Sequence, residues 1–344
     1  MSEYYDGTKL LSMTDSNGNK PEIYLCTTNR TGGKTTYFNK LVTKKYLKNS
    51  SKFGLFFRYK YELQDCAEKF FKDIGELFFD GYKMTSVSRG SGMFHELFLN
   101  DVSCGYAMAI NSANQLKKYS HFFNDIDRII FDEFQSEDNT YCSNEVKKFI
   151  SLHQSIARGK GKQNRYVPVY MLGNTVSILN PYYVELGIAD RLQGDTKFMK
   201  GDGWVLEQGF VESASRASLD SAFNRAFSNN KYVGYASQTI YLNDEDSFVE
   251  QINGKNRYFC TLKYDGCYYA VRYYAEQGVM YCDKRVDMQH PIRLSVTTSD
   301  HCENQVMLNN QRDFMDILRK YFDSGMFRFK DQQCKRTIIR AICY

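Results

Sequence analysis

Proline is scarce in this chain, 4 residues in 344, which excludes a proline-rich stalk or linker. No uninterrupted apolar run approaches the roughly 18 residues of a membrane-spanning helix, so no membrane partner is expected. The opening MSEYYDGTKLL carries early acids and lacks an apolar core, and it does not read as a secretory signal. Charge of one sign is also lacking: the net value of +5 permits a polyanionic partner without demanding one. The five histidines (His95, His121, His153, His290 and His301) form no pair at i, i+4, and the ten cysteines include no Cys-x-x-Cys. The closely paired ligands that zinc usually takes are therefore missing. Cys26, Cys104, Cys260 and Cys282 instead sit singly in apolar or strand-like runs, the pattern of reduced core cysteine in a cytosolic protein. No structural metal is expected beyond one carried by a ligand.

What is present is a globular composition, 42% hydrophobic and 25% charged, which excludes disorder. At roughly 100–200 residues per domain, the length suggests two domains. The first half alternates strand and helix patterns. Strand runs are expected at 22–28, 53–58, 126–131 and 167–172, with a hairpin over 93–110 turning at Asn100-Asp101. Helices are expected through about residue 48 and over 62–79 and 143–157. That alternation implies an α/β domain with a mostly parallel sheet covered on both faces. After about residue 203 the pattern changes. Residues 211–227 read as a polar connector helix. Strand-like runs follow at 232–241, 258–264, 267–274, 279–283 and 293–297, with a hairpin turn at Tyr264-Asp265-Gly266-Cys267. Helices over 311–322 and 331–342 close the chain. The expected organisation is an α/β domain over 1–205, a helical linker over 206–228 and a smaller α+β domain over 229–344.

Two motifs carry chemistry. Thr28-Asn29-Arg30-Thr31-Gly32-Gly33-Lys34-Thr35 lies between a predicted strand and a predicted helix, the setting of a phosphate-binding loop. Small residues let backbone N–H groups wrap phosphates, the lysine neutralises the β and γ oxygens, and the hydroxyl binds Mg²⁺. Thr28 stands where the motif has its first glycine. A Gly-Gly turn followed by an ordinary surface lysine is the competing reading of this stretch. The second motif is Arg128-Ile129-Ile130-Phe131-Asp132-Glu133-Phe134, an apolar strand ending in two acids. Asp132 would hold the water shell of Mg²⁺, and Glu133 would orient and polarise an attacking water. The order of the two motifs and both acids together favour ATP hydrolysis over a solvated strand end. Asn174, at the end of the next strand, could touch the γ-phosphate or could be a turn residue. Arg158 lies in the basic, glycine-rich stretch Ala157–Lys162, which reads either as a loose loop that could insert into a neighbouring subunit's nucleotide site or, slightly preferred on its own residues, as a solvated helix end favoured by the helix dipole.

These residues also carry a resemblance. The block IIFDEFQSEDNTYCSNEVKKFISLHQSIARGKGK followed by VYMLGNTVSILNPYY resembles the DNA-packaging ATPases of small, short-tailed phages with protein-capped linear genomes. FRYKYEL, QGVMYCDKR and MFRFKDQQCKRTIIRAI extend it over nearly the whole chain. The resemblance implies a P-loop domain of the additional-strand, catalytic-glutamate (ASCE) class, working as a homopentameric ring. It further implies a second domain similar to the ribonuclease H-like nuclease of large terminases, with that activity lost. By matching positions it puts Arg30, Gly32, Gly33, Lys34 and Thr35 on ATP, Thr35 and Asp132 on Mg²⁺, and Glu133 and Asn174 in catalysis. Arg158 becomes an arginine finger acting on a neighbour, Lys60 a contact to double-stranded DNA, and Lys117 or Lys118 a second trans-acting cation. The implied partners are DNA, further copies of the chain and the portal vertex of the prohead, with a structural RNA as one candidate intermediary. The implied location is the host cytoplasm, with transient attachment to the prohead. The basic cluster Arg328, Lys330, Lys335, Arg336 and Arg340 could meet RNA or the portal, or could be a solvated helix face. Two other readings are a terminase with a live nuclease, and a nucleotide-gated ring or clamp without productive hydrolysis. Asp265 in a turn and Asp283 ahead of Lys284 and Arg285 give no clear acidic triad, which disfavours the first of these.

Overall fold

In the computed structural model, Ile23–Thr28 (β1) forms a central strand because five of its six side chains are buried. The structure describes residues 4–343 apart from 139, 160, 179, 190, 193–195, 229, 231–232 and 234–247. Its two compact units are residues 1–243 and 244–344.

The first unit is built on a nine-stranded sheet. Its strands after β1 are β2 (Lys52–Phe57), β3 (Met84–Arg89), β4 (Phe94–Leu99), β5 (Val102–Ala109), β6 (Ile126–Phe131), β7 (Val169–Asn174), β8 (Phe198–Gly201) and β9 (Trp204–Gln208). The order is β3-β4-β5-β2-β6-β7-β1-β9-β8. The run from β5 to β9 in that order is parallel throughout, with an antiparallel extension at each edge. Strand side chains alternate between two cores. Leu25, Ile129, Phe131 and Met171 pack on one face with Phe149 and Leu152 of the helix Glu145–Ala157. Cys26, Leu55, Ile130 and Leu172 pack on the other with Phe38 and Val42 of the helix Lys34–Asn49. Burial on both faces is why these strands read as continuous apolar runs. Between β1 and β6 lies the extra strand β7, paired parallel to both. That insertion is the additional strand of the expected ATPase class.

The second unit carries a six-stranded sheet of β10 (Arg257–Tyr264), β11 (Cys267–Tyr274), β12 (Val279–Asp283), β13 (Arg293–Ser295), β14 (Val306–Met307) and β15 (Phe327–Phe329). β10, β11 and β12 form an antiparallel meander. β13 then pairs parallel to β10, and β14 parallel to β13. This is the strand arrangement of a ribonuclease H-like sheet, extended by β15 parallel to β12. Leu318 and Ile338, from the helices Arg312–Asp323 and Gln332–Cys343, complete its core with Cys260, Leu262 and Cys282.

Three sequence expectations need correction. The first domain does not end at 205: β9 pairs with β1 from Ile23↔Trp204 to Thr27↔Gln208, so an end at 205 would cut a core strand. The stretch 206–228 is likewise no free linker. Val211 is buried, Ala214 packs on the same core as Cys26, and the helix there stops at Asp220. Ser221 is extended, and its side chain accepts a bond from the Asn224 amide, capping a new short helix Ala222–Ala226. Finally, the helix expected over 62–79 begins at Cys66, because Asp65 takes a positive φ of 55° and Lys60–Leu63 forms a separate tight turn. The strand expected over 232–241 lies, apart from Val233, outside the described residues.

Candidate functional site

The loop after β1 is held in shape from behind. Asn29 is fully buried; its amide nitrogen donates to the Val211 carbonyl at 3.1 Å, and its oxygen accepts from the Val211 amide at 2.9 Å. Tyr5 donates its backbone N–H to the Gly32 carbonyl at 2.8 Å. At Gly32 a Cβ would sit 2.9 Å from Cγ2 of Val211, so only glycine lets the two segments approach this closely. Gly33 caps the following helix at φ 89°, a conformation glycine adopts without steric penalty. The first amides of that helix have no partner within it and are oriented to hold an anion. Thr28, where the motif has glycine, is the last residue of β1, with extended backbone and a buried side chain. The loop geometry therefore does not require glycine there. Lys34 is not a surface lysine: it is 8% exposed and donates to Oδ1 of Asn174 at 2.6 Å.

Strand register brings the second motif alongside. Thr28 lies opposite Asn174, and Phe131 opposite Met171, so β1, β7 and β6 end at one edge of the sheet. Thr35 Oγ1 donates to Oδ2 of Asp132 at 2.8 Å. A hydroxyl beside a carboxylate offers the hard oxygen ligands that Mg²⁺ prefers, so the residues fit that ion. Glu133 takes φ 54°, unusual for a residue with a side chain. Its amide donates to Oδ1 of Asp132 at 2.9 Å. The guanidinium of Arg58 donates to the Glu133 carbonyl at 3.3 Å from both terminal nitrogens and to the Phe134 carbonyl at 2.8 Å. Arg58 is itself held by buried Glu145 at 2.9 Å, whose other oxygen accepts from the Tyr182 hydroxyl. Glu133 is exposed and lines the cleft. Desolvation by the surrounding protein, followed by the charges of Asp132 and Glu137, nevertheless pushes its carboxyl above the ordinary range.

These groups line one cleft of about 660 Å³ that brings together Arg30, Lys34, Thr35, Asp132, Glu133 and Asn174. Sequence reasoning missed Glu137, which lines the same cleft. It pairs with Arg30 at 2.5 Å and accepts from the Asn174 amide nitrogen at 3.5 Å. It also missed Gln135, whose side-chain oxygen accepts from the amides of Val176 and Ser177 and ties down the chain after β7. Arg58 lies in the stretch FRYKYEL, where no local motif announces its role.

Two expected residues lie apart from this group. Arg158 follows the helix Glu145–Ala157, is exposed, and lines a separate cleft of about 440 Å³ with Lys117, His121 and Asn124. Its loop is not loose: Gly159 and Lys162 exchange backbone bonds of 3.1 and 3.0 Å, and the Arg165 amide donates to the Ala157 carbonyl. Lys60 is exposed on the turn Lys60–Leu63, with Nζ 3.5 Å from the Ser91 carbonyl at the β3–β4 turn. Its neighbours Tyr59, Tyr61 and Glu62 line the main cleft.

In the second unit Asp283 is fully buried, with Arg272 at 3.3 Å and Arg285 at 2.8 Å. Asp265 occupies the β10–β11 turn at φ 54°. Among the described residues, no three His, Cys, Asp or Glu side chains come together as a metal site.

Known proteins align with this chain along its length. The DNA packaging protein of Bacillus phage phi29 is 24% identical over 304 residues, 87% of this chain and 85% of that protein. The DNA packaging protein of Bacillus phage B103 is 26% identical over 310 residues, 89% of this chain and 91% of that one. The fold matches a chain of the bacteriophage phi-29 viral genome packaging motor assembly with a TM-score of 0.70 at 21% identity, covering 100% of this chain and 98% of the other. The family model for the podovirus DNA encapsidation protein (Gp16) matches residues 1–342. With a match of that extent, the chain belongs to the podovirus DNA encapsidation protein family.

Proposed function

We propose that this chain is the Mg²⁺-dependent ATPase subunit of a homomeric ring that drives double-stranded DNA into a preformed capsid. The observation that carries the reading is the convergence of Lys34, Thr35, Asp132, Glu133 and Asn174 at one sheet edge, in a member of an encapsidation family. Lys34 neutralises phosphate charge, and the amides opening its helix hold the phosphate oxygens. Thr35 and Asp132 would hold Mg²⁺, which when bound supplies charge neutralisation at the phosphates. Glu133 orients the attacking water and takes its proton at a carboxylate oxygen. Asn174 is already within reach of Lys34 and serves as the polar contact to the terminal phosphate.

Arg158 has no place in its own subunit's cleft, which supports a role at a neighbour's nucleotide. Sharing a cleft with Lys117 favours that lysine over Lys118 as the second trans-acting cation. Lys60 would contact DNA phosphate without reading sequence, as a motor moving any sequence requires. The turn that carries it adjoins the ATP cleft, which gives DNA engagement a short route to Glu133. The second unit would dock on the portal vertex or on an RNA seated there. The terminase alternative, with a live nuclease, is disfavoured because β10 carries no carboxylate and Asp283 is committed to two arginines. The test is ATP turnover by the full chain alone, with DNA, and with DNA and proheads. We expect turnover and packaging to rise together on assembly, and Lys34→Ala to abolish both. Packaging without ATP turnover would favour the nucleotide-gated clamp.

A further inference from the structure

The cleft that holds Lys34 and Glu133 is short of positive charge. Glu62, Asp132, Glu133, Glu137 and Asp138 line it against Arg30, Lys34 and Arg58. Those cations are already engaged: Arg30 pairs with Glu137, Lys34 donates to Asn174, and Arg58 pairs with Glu145 outside the cleft. Among the described residues, no lysine or arginine pairs with the side chain of Glu62, Glu133 or Asp138. Mg·ATP adds net negative charge of its own, so the filled cleft calls for a cation from elsewhere.

The same cleft carries an aromatic pair. Tyr61 is 73% exposed and stacks on Tyr59, with ring centroids 5.5 Å apart and planes inclined by 11°. Both rings line the cleft. The turn that presents them is fixed: the Tyr59 amide donates to Oε2 of Glu62 at 2.7 Å, and Leu63 is buried in the core that also holds Cys26. With Tyr59 against one face of its ring, Tyr61 leaves the other face open. An aromatic face carries negative potential, and a guanidinium settles on it through both its charge and its planarity.

The separate cleft around Arg158 has the opposite character. Lys117, His121, Asn124 and Arg158 line it, and no carboxylate does. In a head-to-tail ring each subunit meets its two neighbours through two different surfaces, so an acidic, aromatic cleft and a basic surface on one chain are complementary between copies. We propose that the Tyr61 ring, backed by Tyr59, receives the Arg158 guanidinium of an adjacent copy and positions it at the ATP cleft, with Glu62 and Asp138 as the carboxylates of that receiving surface. Tyr61 is then a positioning residue, acting on the nucleotide only through the arginine it holds. The inference rests on the trans role proposed above for Arg158 and adds the surface that receives it.

The test measures steady-state ATP turnover of full-chain rings assembled on proheads with DNA, alongside the ATP and DNA affinities of the isolated chain. Tyr61→Ala, and Tyr61→Leu, which keeps apolar bulk without a ring face, should each lower kcat roughly tenfold with KM little changed, the size of one cation–π contact. Tyr61→Phe keeps the ring and should turn over at the parent's rate. The isolated chain's ATP and DNA affinities should match the parent's in all three. In rings of Arg158→Ala, which retain only slow turnover, adding Tyr61→Ala should cost nothing further, because the contact is already gone. Parent kcat in Tyr61→Ala, an equal loss in Tyr61→Phe, or a full tenfold loss on top of Arg158→Ala would each overturn the platform while the arginine finger stands. Weaker DNA binding by Tyr61→Ala would make Tyr61 a DNA contact like Lys60 and likewise overturn it. If Arg158→Ala rings keep the parent's rate, the finger itself fails, and the platform with it.

Discussion

Glu133 combines a left-handed backbone with a carboxyl raised above its ordinary pKa. The raised value has a definite sign for stability. The unfolded chain ionises this group first, so above the raised folded-state pKa the charge destabilises the fold; below the ordinary range of about 4.3 the effect vanishes. Glu133→Gln should therefore not lower the melting temperature at neutral pH. It should keep ATP binding and lose turnover, because an amide cannot accept the proton of the attacking water. Equal turnover in parent and variant would remove the catalytic assignment. Glu137 acts on the same cleft from the other side. Its carboxylate occupies Arg30 and Asn174, the groups that incoming phosphates would claim, and its charge contributes to the rise at Glu133. Glu137→Ala should tighten ATP binding several-fold. It should also lower the Glu133 pKa, so that turnover persists to lower pH. An ATP titration and a pH–rate profile measure the two effects; weaker ATP binding would instead make Glu137 part of the binding machinery.

At the scale of elements, the turn after β6 is the part that the rest of the fold holds in place. Arg58, at the end of β2, reaches across to the Glu133 and Phe134 carbonyls while pairing with Glu145, which is 1% exposed. Arg58→Met leaves a buried carboxylate without its cation and should cost about 3–5 kcal/mol of stability, read by chemical denaturation. Arg58→Lys keeps the charge but cannot bridge three acceptors at once. It should lose less stability, yet lower kcat with KM little changed as the Glu133 turn relaxes. This coupling was not legible in the sequence, because Arg58 and Glu145 are 87 positions apart. The motif residues were legible because a phosphate loop and a strand ending in two acids are each continuous in the chain. β1, β6 and β7 were legible for a related reason: strands buried on both faces are unbroken apolar runs. β3, MTSVSR, was missed because it is an edge strand with mostly solvated side chains. The β8–β9 hairpin was missed although Gly201-Asp202-Gly203 marks its turn, and that omission misplaced the domain edge. The break at Ser221 is a capping hydroxyl inside an otherwise helical pattern.

For the whole molecule, the decisive question is whether a site is complete within one chain. Arg158 is exposed, lies outside the cleft that holds Lys34 and Glu133, and sits on a loop closed by its own backbone bonds. On the proposed reading, a side chain so placed serves the nucleotide of an adjacent subunit. An arginine finger is typically worth about 10³–10⁵ in rate. The isolated chain should therefore bind ATP and turn it over slowly, and assembly on the prohead should supply the acceleration. Arg158→Ala should remove most of that gain and leave ATP affinity close to the parent's. Mixing separates a trans role from simple damage. A ring made only of Arg158→Ala subunits, or only of Glu133→Gln subunits, has no competent interface. In a random equal mixture, roughly a quarter of the head-to-tail interfaces join an intact Glu133 to a neighbour's intact Arg158. Turnover should return to a fraction of the parent's and scale with the mixing ratio, peaking near equal amounts. If co-assembled mixed rings, verified by differential labelling of the two subunits, stay as inactive as either pure ring, Arg158 does not act across the interface and is a solvated cation at a helix end.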